Sequence, residues 1–104
     1  MTPEVRKVLS MLGMARRAGI VAIGQDRVLE RLRKGERLLV IVTGDCSDSV
    51  LSKAGRYCEG GSARLAIDGV TREELGEAMG VRSAQIAALP AESGFAERVA
   101  QLLN

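Results

Sequence analysis

The sequence contains no histidine and no tryptophan, and it has only two cysteines and two other aromatic residues, Tyr57 and Phe95. Without histidine, the chain lacks the usual general base and the Ser-His and Cys-His nucleophile pairs. Cys46 and Cys58 form no Cys-x-x-Cys pair, which together with the missing histidine argues against a zinc site, and disulfides are rare in cytoplasmic chains. We interpret Cys58 as a small buried hydrophobic side chain. The scarcity of aromatic residues argues against a base-stacking platform. We therefore expect no catalytic residue and no metal site.

Cofactor-binding and membrane-spanning motifs are also missing. Gly24 stands alone where a dinucleotide fold would need G-x-G-x-x-G, and no G-x-x-x-x-G-K-[ST] phosphate loop occurs, so we expect no cofactor. No apolar run approaches the roughly 20 residues of a membrane helix. Arg6, Lys7, Arg16 and Arg17 interrupt any apolar core of an export signal. We expect a cytoplasmic protein that makes no use of a membrane.

The charges are distributed unevenly along the chain. Residues 1–37 contain nine Lys or Arg and four Asp or Glu, a net charge of +5, whereas the remainder has six and nine, a net charge of −3. A basic half on a nearly neutral chain suggests a face that meets a polyanion. Solvated helix faces that are rich in arginine explain the same distribution equally well.

Apolar spacing, caps and glycines predict helices that alternate with strands along the whole chain. Thr71 and Glu74 form a capping box, and Thr2-Pro3-Glu4 is typical of a helix start. Arg16 and Arg17 lie in the last turn of that first helix, where they can cap its carbonyl end or contact a nucleic acid. The predicted strands are 20–23, 38–42, 63–67 and 84–89, and the predicted helices are 2–17, 24–35, Asp45 or Ser47 to about Cys58 (before a Gly60-Gly61 break), 71–80 and 93–103. This order predicts one α/β domain over 1–104, an α/β/α sandwich with mostly parallel strands.

The most informative stretch runs from Gly24 to Val42. A glycine opens a basic helix, Gly35 closes it, and an apolar strand that should be buried on both faces follows directly. Backbone amides after Gly24 carry partial positive charge, which suits a phosphate or a base edge. Gln25 and Asp26 can address base edges, and the cations Arg27, Arg31 and Lys34 can meet phosphates. On these residues alone, an ordinary amphipathic helix is the favoured interpretation.

An enzymatic function would rest on Asp45 and the two cysteines. Asp45 follows the central predicted strand, where α/β proteins often place functional acids. Because no histidine or second acid cluster lies near it in sequence, we interpret Asp45 as a helix cap.

Five segments of the chain occur in an order that is familiar from a known family. They are residues 12–19 (LGMARRAG), 24–35, 38–45 (LLVIVTGD), 71–76 (TREELG) and 94–99 (GFAERV). Together they resemble the bacterial YlxQ-type branch of the ribosomal protein L7Ae superfamily, which binds kink-turn RNA. The resemblance implies an α/β/α sandwich around a mixed four-stranded sheet, and no catalysis.

The resemblance also implies an RNA site at two places in the fold. One is the start of the glycine-opened helix, and the other is the loop after the fourth helix. Carried over by position, the site residues are Gly24, Gln25, Asp26, Arg27, Glu30 and Lys34, with Val81, Arg82 and Ser83 in the loop. The family typically has Asn, Glu and Lys at positions 26, 27 and 30, and often has lysines where this chain has Ala22 and Ile23.

Two function hypotheses follow from these observations. The first is a monomeric, non-enzymatic protein that binds ribosomal or other structured RNA, including kink-turn-like RNA. The second is a protein-interaction module of the same fold that has lost specific RNA recognition. Glu30 and the apolar Val21-Ala22-Ile23 motivate the second hypothesis, because a carboxylate repels phosphates and aliphatic side chains suit a protein partner.

Overall fold

The computed structural model describes residues 1–58 and 62–103, in which five helices alternate with four strands. The helices are α1 (Pro3–Arg17), α2 (Gln25–Arg33), α3 (Asp48–Tyr57), α4 (Arg72–Ala78) and α5 (Gly94–Leu103). The strands are β1 (Ala22–Ile23), β2 (Leu38–Thr43), β3 (Ala63–Ile67) and β4 (Ile86–Pro90). The predicted break at Gly60-Gly61 lies outside the described residues. No helix in the described part of the chain is long and apolar enough to cross a membrane.

Side-chain hydroxyls begin four of the helices, as their sequences predict. A serine or threonine oxygen accepts a hydrogen bond from a backbone N–H in the first turn of each, which satisfies a donor that has no partner within the helix. The capping oxygens belong to Thr2, Ser47, Thr71 and Ser93. The capping box on α4 is complete, because the Thr71 N–H also donates to the Glu74 carboxylate at 3.0 Å.

The sheet is mixed, with strand order β1-β4-β2-β3. Strand β4 runs antiparallel to both β1 and β2, and only β2 and β3 pair in parallel. The prediction of mostly parallel strands from alternation was therefore wrong, whereas the mixed four-stranded sheet implied by the family resemblance is confirmed.

The direction of β4 follows from the short path between β3 and β4. The seven-residue α4 and its loop end where they began, because the Ala84 N–H donates to the Arg72 carbonyl at 3.0 Å. The chain thus enters β4 at the end of the sheet where β3 finished, and it must run in the opposite direction. A parallel strand would need a crossover that carries the chain back to the other end.

Two helical layers cover the sheet, which confirms the α/β/α architecture. Helices α1, α4 and α5 pack on one face, and α2 and α3 pack on the other. All six residues of β2 are buried, with Leu39 and Ile41 facing the first layer and Val40 and Val42 facing the second. A strand that is enclosed on both sides explains why its sequence is apolar throughout.

Three element boundaries and one burial prediction differ slightly from expectation. Strand β1 has only two residues, and β4 begins at Ile86, two residues later than predicted. Helix α2 ends at Arg33 with Lys34 as its C-cap, and Gly35 follows with φ of 85°. Cys58, predicted to be buried, is half-buried at the rim of the α2–α3 core.

Gly13 allows α1 and α4 to approach closely. A β-carbon at this position would lie 2.8 Å from the carbonyl oxygen of Ala78, a backbone atom that cannot move independently of α4. We expect Gly13→Ala to lower the free energy of unfolding by about 1–3 kcal/mol, as overpacking does in other cores. Urea denaturation measures this loss.

Gly94→Ala is the matched control, since nothing lies within 4 Å of a β-carbon built there. Its effect should stay within about 0.5 kcal/mol. Equal stabilities of the two variants would contradict the close approach at Gly13.

Candidate nucleic-acid interface

The first turn of α2 is open toward solvent. Gly24 has φ of 93° and makes no side-chain cap, so the amides of residues 25–27 have neither a cap from Gly24 nor an intrahelical acceptor. The Gly24 N–H donates to the Ile86 carbonyl at 3.0 Å, which fixes the start of the helix against β4. Rigidly placed amides with partial positive charge can bind an anion.

The Val81–Ser83 loop is held firmly by α4. The Val81 N–H donates to the Gly76 carbonyl at 2.9 Å. Gly76 itself is buried, and a β-carbon there would lie 2.6 Å from Ser83 Cα and 2.9 Å from the Val81 carbonyl oxygen. The loop therefore rests directly on the helix backbone, and its position depends on a glycine at residue 76.

The structure places residues from both predicted parts of the site on one depression of about 370 Å³. Arg27 from α2 and Val81 from the loop line it, with Val21 and Ile23 contributing aliphatic surface. The remaining lining residues are Arg16 and Gly19, at the end of α1. Sequence reasoning left the role of Arg16 open between capping and nucleic-acid contact, and it could not show that α1 ends beside α2.

A second depression of about 270 Å³ adjoins the first. It is lined by Arg27, Glu30 and Arg31 from α2, and by Gly19, Val21 and Ala22. Arg27 borders both depressions, as do Gly19 and Val21. Gln25, Asp26, Arg82 and Ser83 lie outside both depressions, and the last three are exposed.

Two of the predicted phosphate-binding cations are already paired. Lys34 Nζ lies 3.0 Å from Glu30 Oε1, and the Lys34 hydrogen bond holds the pKa of the Glu30 carboxyl below its usual value. Arg31 Nε donates to Glu36 at 2.8 Å and likewise lowers the pKa of that carboxyl. The described residues provide no ion pair for Arg27.

Lys34 is also distant from the first turn. It lies nine residues after Gln25, which corresponds to about 13 Å along the helix axis. The structure thus does not bring Lys34 to the depression, although the other carried-over residues of α2 lie in its first two turns.

Asp45 links two loops and is engaged there. Its Oδ1 accepts the Arg72 N–H at 3.1 Å, and Arg72 Nη2 donates to the Asp45 carbonyl at 3.0 Å. The Thr43 hydroxyl, and then the Arg72 N–H and guanidinium, hold the Asp45 pKa below its usual value. Because Thr43 Oγ1 makes no hydrogen bond of good geometry, we regard the Arg72 N–H as the main group that stabilises the ionised Asp45 carboxylate. Asp45 caps the start of α4, while Ser47 caps α3.

The two cysteines are poorly suited to nucleophilic chemistry. Burial is the main cause that raises the pKa of both the Cys46 and the Cys58 thiol above the usual value. A thiol with a raised pKa contains little of the reactive thiolate at neutral pH. Neither the cysteines nor the engaged Asp45 supports the enzymatic hypothesis.

A family model described as "Ribosomal protein L7Ae/L30e/S12e/Gadd45 family" matches residues 6–99 of the chain. The chain therefore belongs to this family, and the resemblance stated from the sequence is confirmed. Family membership, together with the similarity to the RNA-binding protein YlxQ of Bacillus subtilis, also confirms the prediction that the chain is not an enzyme.

Three individual proteins are similar to this chain. The RNA-binding protein YlxQ of Bacillus subtilis is 30% identical over 95 residues, which cover 90% of this chain and 92% of YlxQ. The structure of a protein of unknown function from Bacillus halodurans superimposes with a TM-score of 0.80 at 27% identity, covering 93% of this chain and 96% of the other. The Giardia lamblia 15.5kD RNA binding protein has a TM-score of 0.72 at 17% identity, covering 99% and 87%, and shows the shared fold alone.

The contact between Gly76 and the loop yields a prediction for the site. We expect Gly76→Ala to displace Val81–Ser83 and to lower the free energy of unfolding by about 1–3 kcal/mol, because backbone atoms must move away from the new methyl group. Amide hydrogen exchange at Val81 should accelerate beyond the increase caused by the lower global stability. Gly13→Ala, which disturbs α4 at the Ala78 carbonyl, controls for general destabilisation. Unchanged Val81 exchange in Gly76→Ala would contradict the proposed support of the loop.

Proposed function

We propose that this chain binds structured RNA, without catalysis, through the first turn of α2 and the Val81–Ser83 loop. The observation that carries the proposal is the depression whose walls include Arg27 and Val81, beside the open amides of α2. Membership of the L7Ae/L30e/S12e/Gadd45 family supports it, as does the similarity to the RNA-binding protein YlxQ. The basic N-terminal half provides the attraction that a polyanion needs.

The site residues divide into positioning and recognition roles. Gly24 gives the backbone the turn that leaves the first amides of α2 exposed to a phosphate or base oxygen. Gln25 can both donate to and accept from a base edge, whereas the Asp26 carboxylate can only accept. The exposed Arg27 and Arg82 contact phosphates, which sets affinity and orientation more than sequence preference.

The cations farther along α2 have a secondary role. Exposed ion pairs such as Lys34–Glu30 are weak, so a phosphate can compete for the lysine. A phosphate that binds Lys34 must nevertheless replace its contact with Glu30, and the Glu30 carboxylate that remains nearby repels the phosphate. Arg31 is restrained in the same way by Glu36. We therefore assign most of the binding energy to Arg27, Arg82 and the first-turn amides.

The RNA we propose is a folded one, ribosomal or kink-turn-like. Asp26 and Glu30 replace residues that can donate hydrogen bonds in the family pattern, and each adds a carboxylate on the exposed side of α2. We propose that binding depends on the shape of the RNA backbone and on its phosphates more than on base edges. Ser83 and the backbone of the loop then contact the neighbouring RNA strand.

Charge reversal tests the proposal directly. We expect Arg27→Glu and Arg82→Glu each to weaken binding to a synthetic kink-turn RNA by about tenfold or more, and to reduce the salt dependence of the dissociation constant. Fluorescence anisotropy at several KCl concentrations measures both quantities.

Arg37→Glu is the charge-matched control. Arg37 is exposed and precedes β2. It lies about 20 Å from the other end of that strand, where Thr43 bonds to Gln85 and where the neighbouring Ile86 holds the start of α2. This variant should change affinity by no more than about twofold, through net charge alone. Equal losses in all three variants, or no binding by the wild-type protein, would defeat the proposed interface.

Glu30 provides a test in the opposite direction. We expect Glu30→Gln to strengthen RNA binding by about two- to fivefold, because it removes a negative charge beside Arg27 and releases Lys34 from its pair. Glu92→Gln, an exposed change of equal charge after β4, should have a smaller effect. Binding that is no stronger in Glu30→Gln than in Glu92→Gln would contradict a phosphate path along α2.

The protein-interaction hypothesis also has one structural observation in its favour. Val21, Ile23 and Val81 present partly exposed aliphatic surface in the main depression. Affinity purification from cells, with and without ribonuclease, distinguishes the two functions. Recovery of RNA that depends on Arg27 supports our proposal, whereas ribonuclease-resistant recovery of a protein without RNA supports the alternative.

A further inference from the structure

We infer that the RNA backbone is held from two sides, by Arg16 at the end of α1 as well as by Arg27 of α2. This inference rests on the proposed function and adds a third element of the fold to the binding surface. Arg16 is exposed in the last turn of α1 and lines the same depression as Arg27 and Val81. Arg17, its neighbour, is equally exposed but does not line the depression.

A structural explanation for Arg16 would be that its side chain caps the carbonyl end of α1, but the backbone already does this. The Ala18 N–H donates to Met14 at 3.0 Å, the Gly19 N–H to Arg16 at 3.1 Å, and the Ile20 N–H to Ala15 at 3.1 Å. Gly19, with φ of 76°, makes this arrangement possible. The carbonyls of Met14, Ala15 and Arg16 are therefore satisfied without an arginine side chain.

Among the described residues, no acidic side chain forms an ion pair with Arg16 either. In residues 1–58 and 62–103, the ion pairs involve Arg31, Lys34 and Arg72 as cations, and Arg16 is not among them. Attraction to the helix dipole is available to Arg16 and Arg17 alike, since both lie in the last turn. What distinguishes Arg16 is its position on the wall of the depression.

The two arginines approach the depression from opposite layers of the fold. Helix α1 packs with α4 and α5 on one face of the sheet, and α2 packs with α3 on the other. The depression thus lies at the edge of the sheet beside β1, and its walls also carry the aliphatic Val21 and Ile23. Two cationic walls that also carry aliphatic surface suit a polymer in which phosphates alternate with less polar sugars. Guanidinium groups bind phosphates with two parallel hydrogen bonds, which makes arginine suited to both walls.

Paired variants of the adjacent arginines test this inference. The probes are a synthetic kink-turn RNA and a fully paired RNA hairpin of equal length, each titrated with the complete chain at several KCl concentrations. We expect Arg16→Glu to weaken binding of the kink-turn RNA by about tenfold. Arg16→Ala should reduce the slope of log Kd against log salt by about 0.7 to 1, the loss of one phosphate contact.

Arg17→Glu and Arg17→Ala are the matched controls, with identical changes of charge on the same helix turn. They should alter affinity by less than about twofold, and Arg16→Lys should retain most of the binding. Urea denaturation of each variant verifies folding, and Arg16→Gln replaces Arg16→Glu if the latter is unfolded.

The outcomes separate this inference from the proposed function. If the wild-type protein binds RNA and the Arg16 and Arg17 variants lose affinity equally, the two-sided contact is overturned while RNA binding stands. If the wild-type protein binds neither RNA, both proposals fail. If Arg16→Glu abolishes recovery of an acidic protein from cells and leaves RNA binding unchanged, the depression serves a protein partner and the inference is wrong.

Discussion

The candidate site depends on the close approach of α4 to the loop that follows it. At Gly76 the helix backbone leaves no room for a β-carbon beside Ser83, and the Val81 N–H is bonded to the Gly76 carbonyl. A second bond, from Ala84 to Arg72, returns the chain to the start of the helix. These contacts decide two larger features at once, because they hold the Val81–Ser83 loop and make β4 enter the sheet in the antiparallel direction.

The direction of β4 in turn positions α2. Gly24 donates its N–H to Ile86, the first residue of β4, so the open turn of α2 begins beside the strand that α4 delivered. Gly13 contributes as well, since it lets α1 pack against the Ala78 carbonyl at the end of α4. Three helices from both layers thereby end or begin around one depression. A rigid backbone frame of this kind can present amides and guanidinium groups without ordering a long loop on binding, which limits the entropic cost of association.

Local chemistry explains which parts of the fold the sequence predicts well. The Thr71–Glu74 capping box and the apolar run of β2 involve residues that lie within a few positions of one another, and both were confirmed. The start of α3 was narrowed to Asp45 or Ser47, and Ser47 is the cap. Strand pairing is different, because alternation of helices and strands is compatible with either direction for β4. The outcome was determined by the Arg72–Ala84 and Gly76–Val81 bonds between backbone groups, which leave no trace in the pattern of apolar residues. The family resemblance supplied the mixed sheet that periodicity missed.

The site shows the same division between local and tertiary information. The glycine-opened helix is a local feature, and even the Lys34–Glu30 pair follows from their spacing of four residues. Helix geometry alone places Lys34 more than two turns from Gln25, so its distance from the first turn also follows from the sequence. The position of Arg16 does not follow from the sequence, because an Arg16-Arg17 pair suits the C-terminus of a helix anywhere in the fold.

Only the packing of α1 beside β1 brings Arg16 to the depression, and only the hydrogen bonds of Ala18, Gly19 and Ile20 show that its side chain is not needed as a cap. The carboxylates of Asp26 and Glu30 lie along α2, whereas Arg16 approaches from the opposite layer of the fold. A cation on that wall adds attraction for phosphates without adding to the charge conflict along α2. The proposed RNA surface thus has arginines on both walls, although two acidic residues occupy positions where the family pattern has amide or cationic side chains.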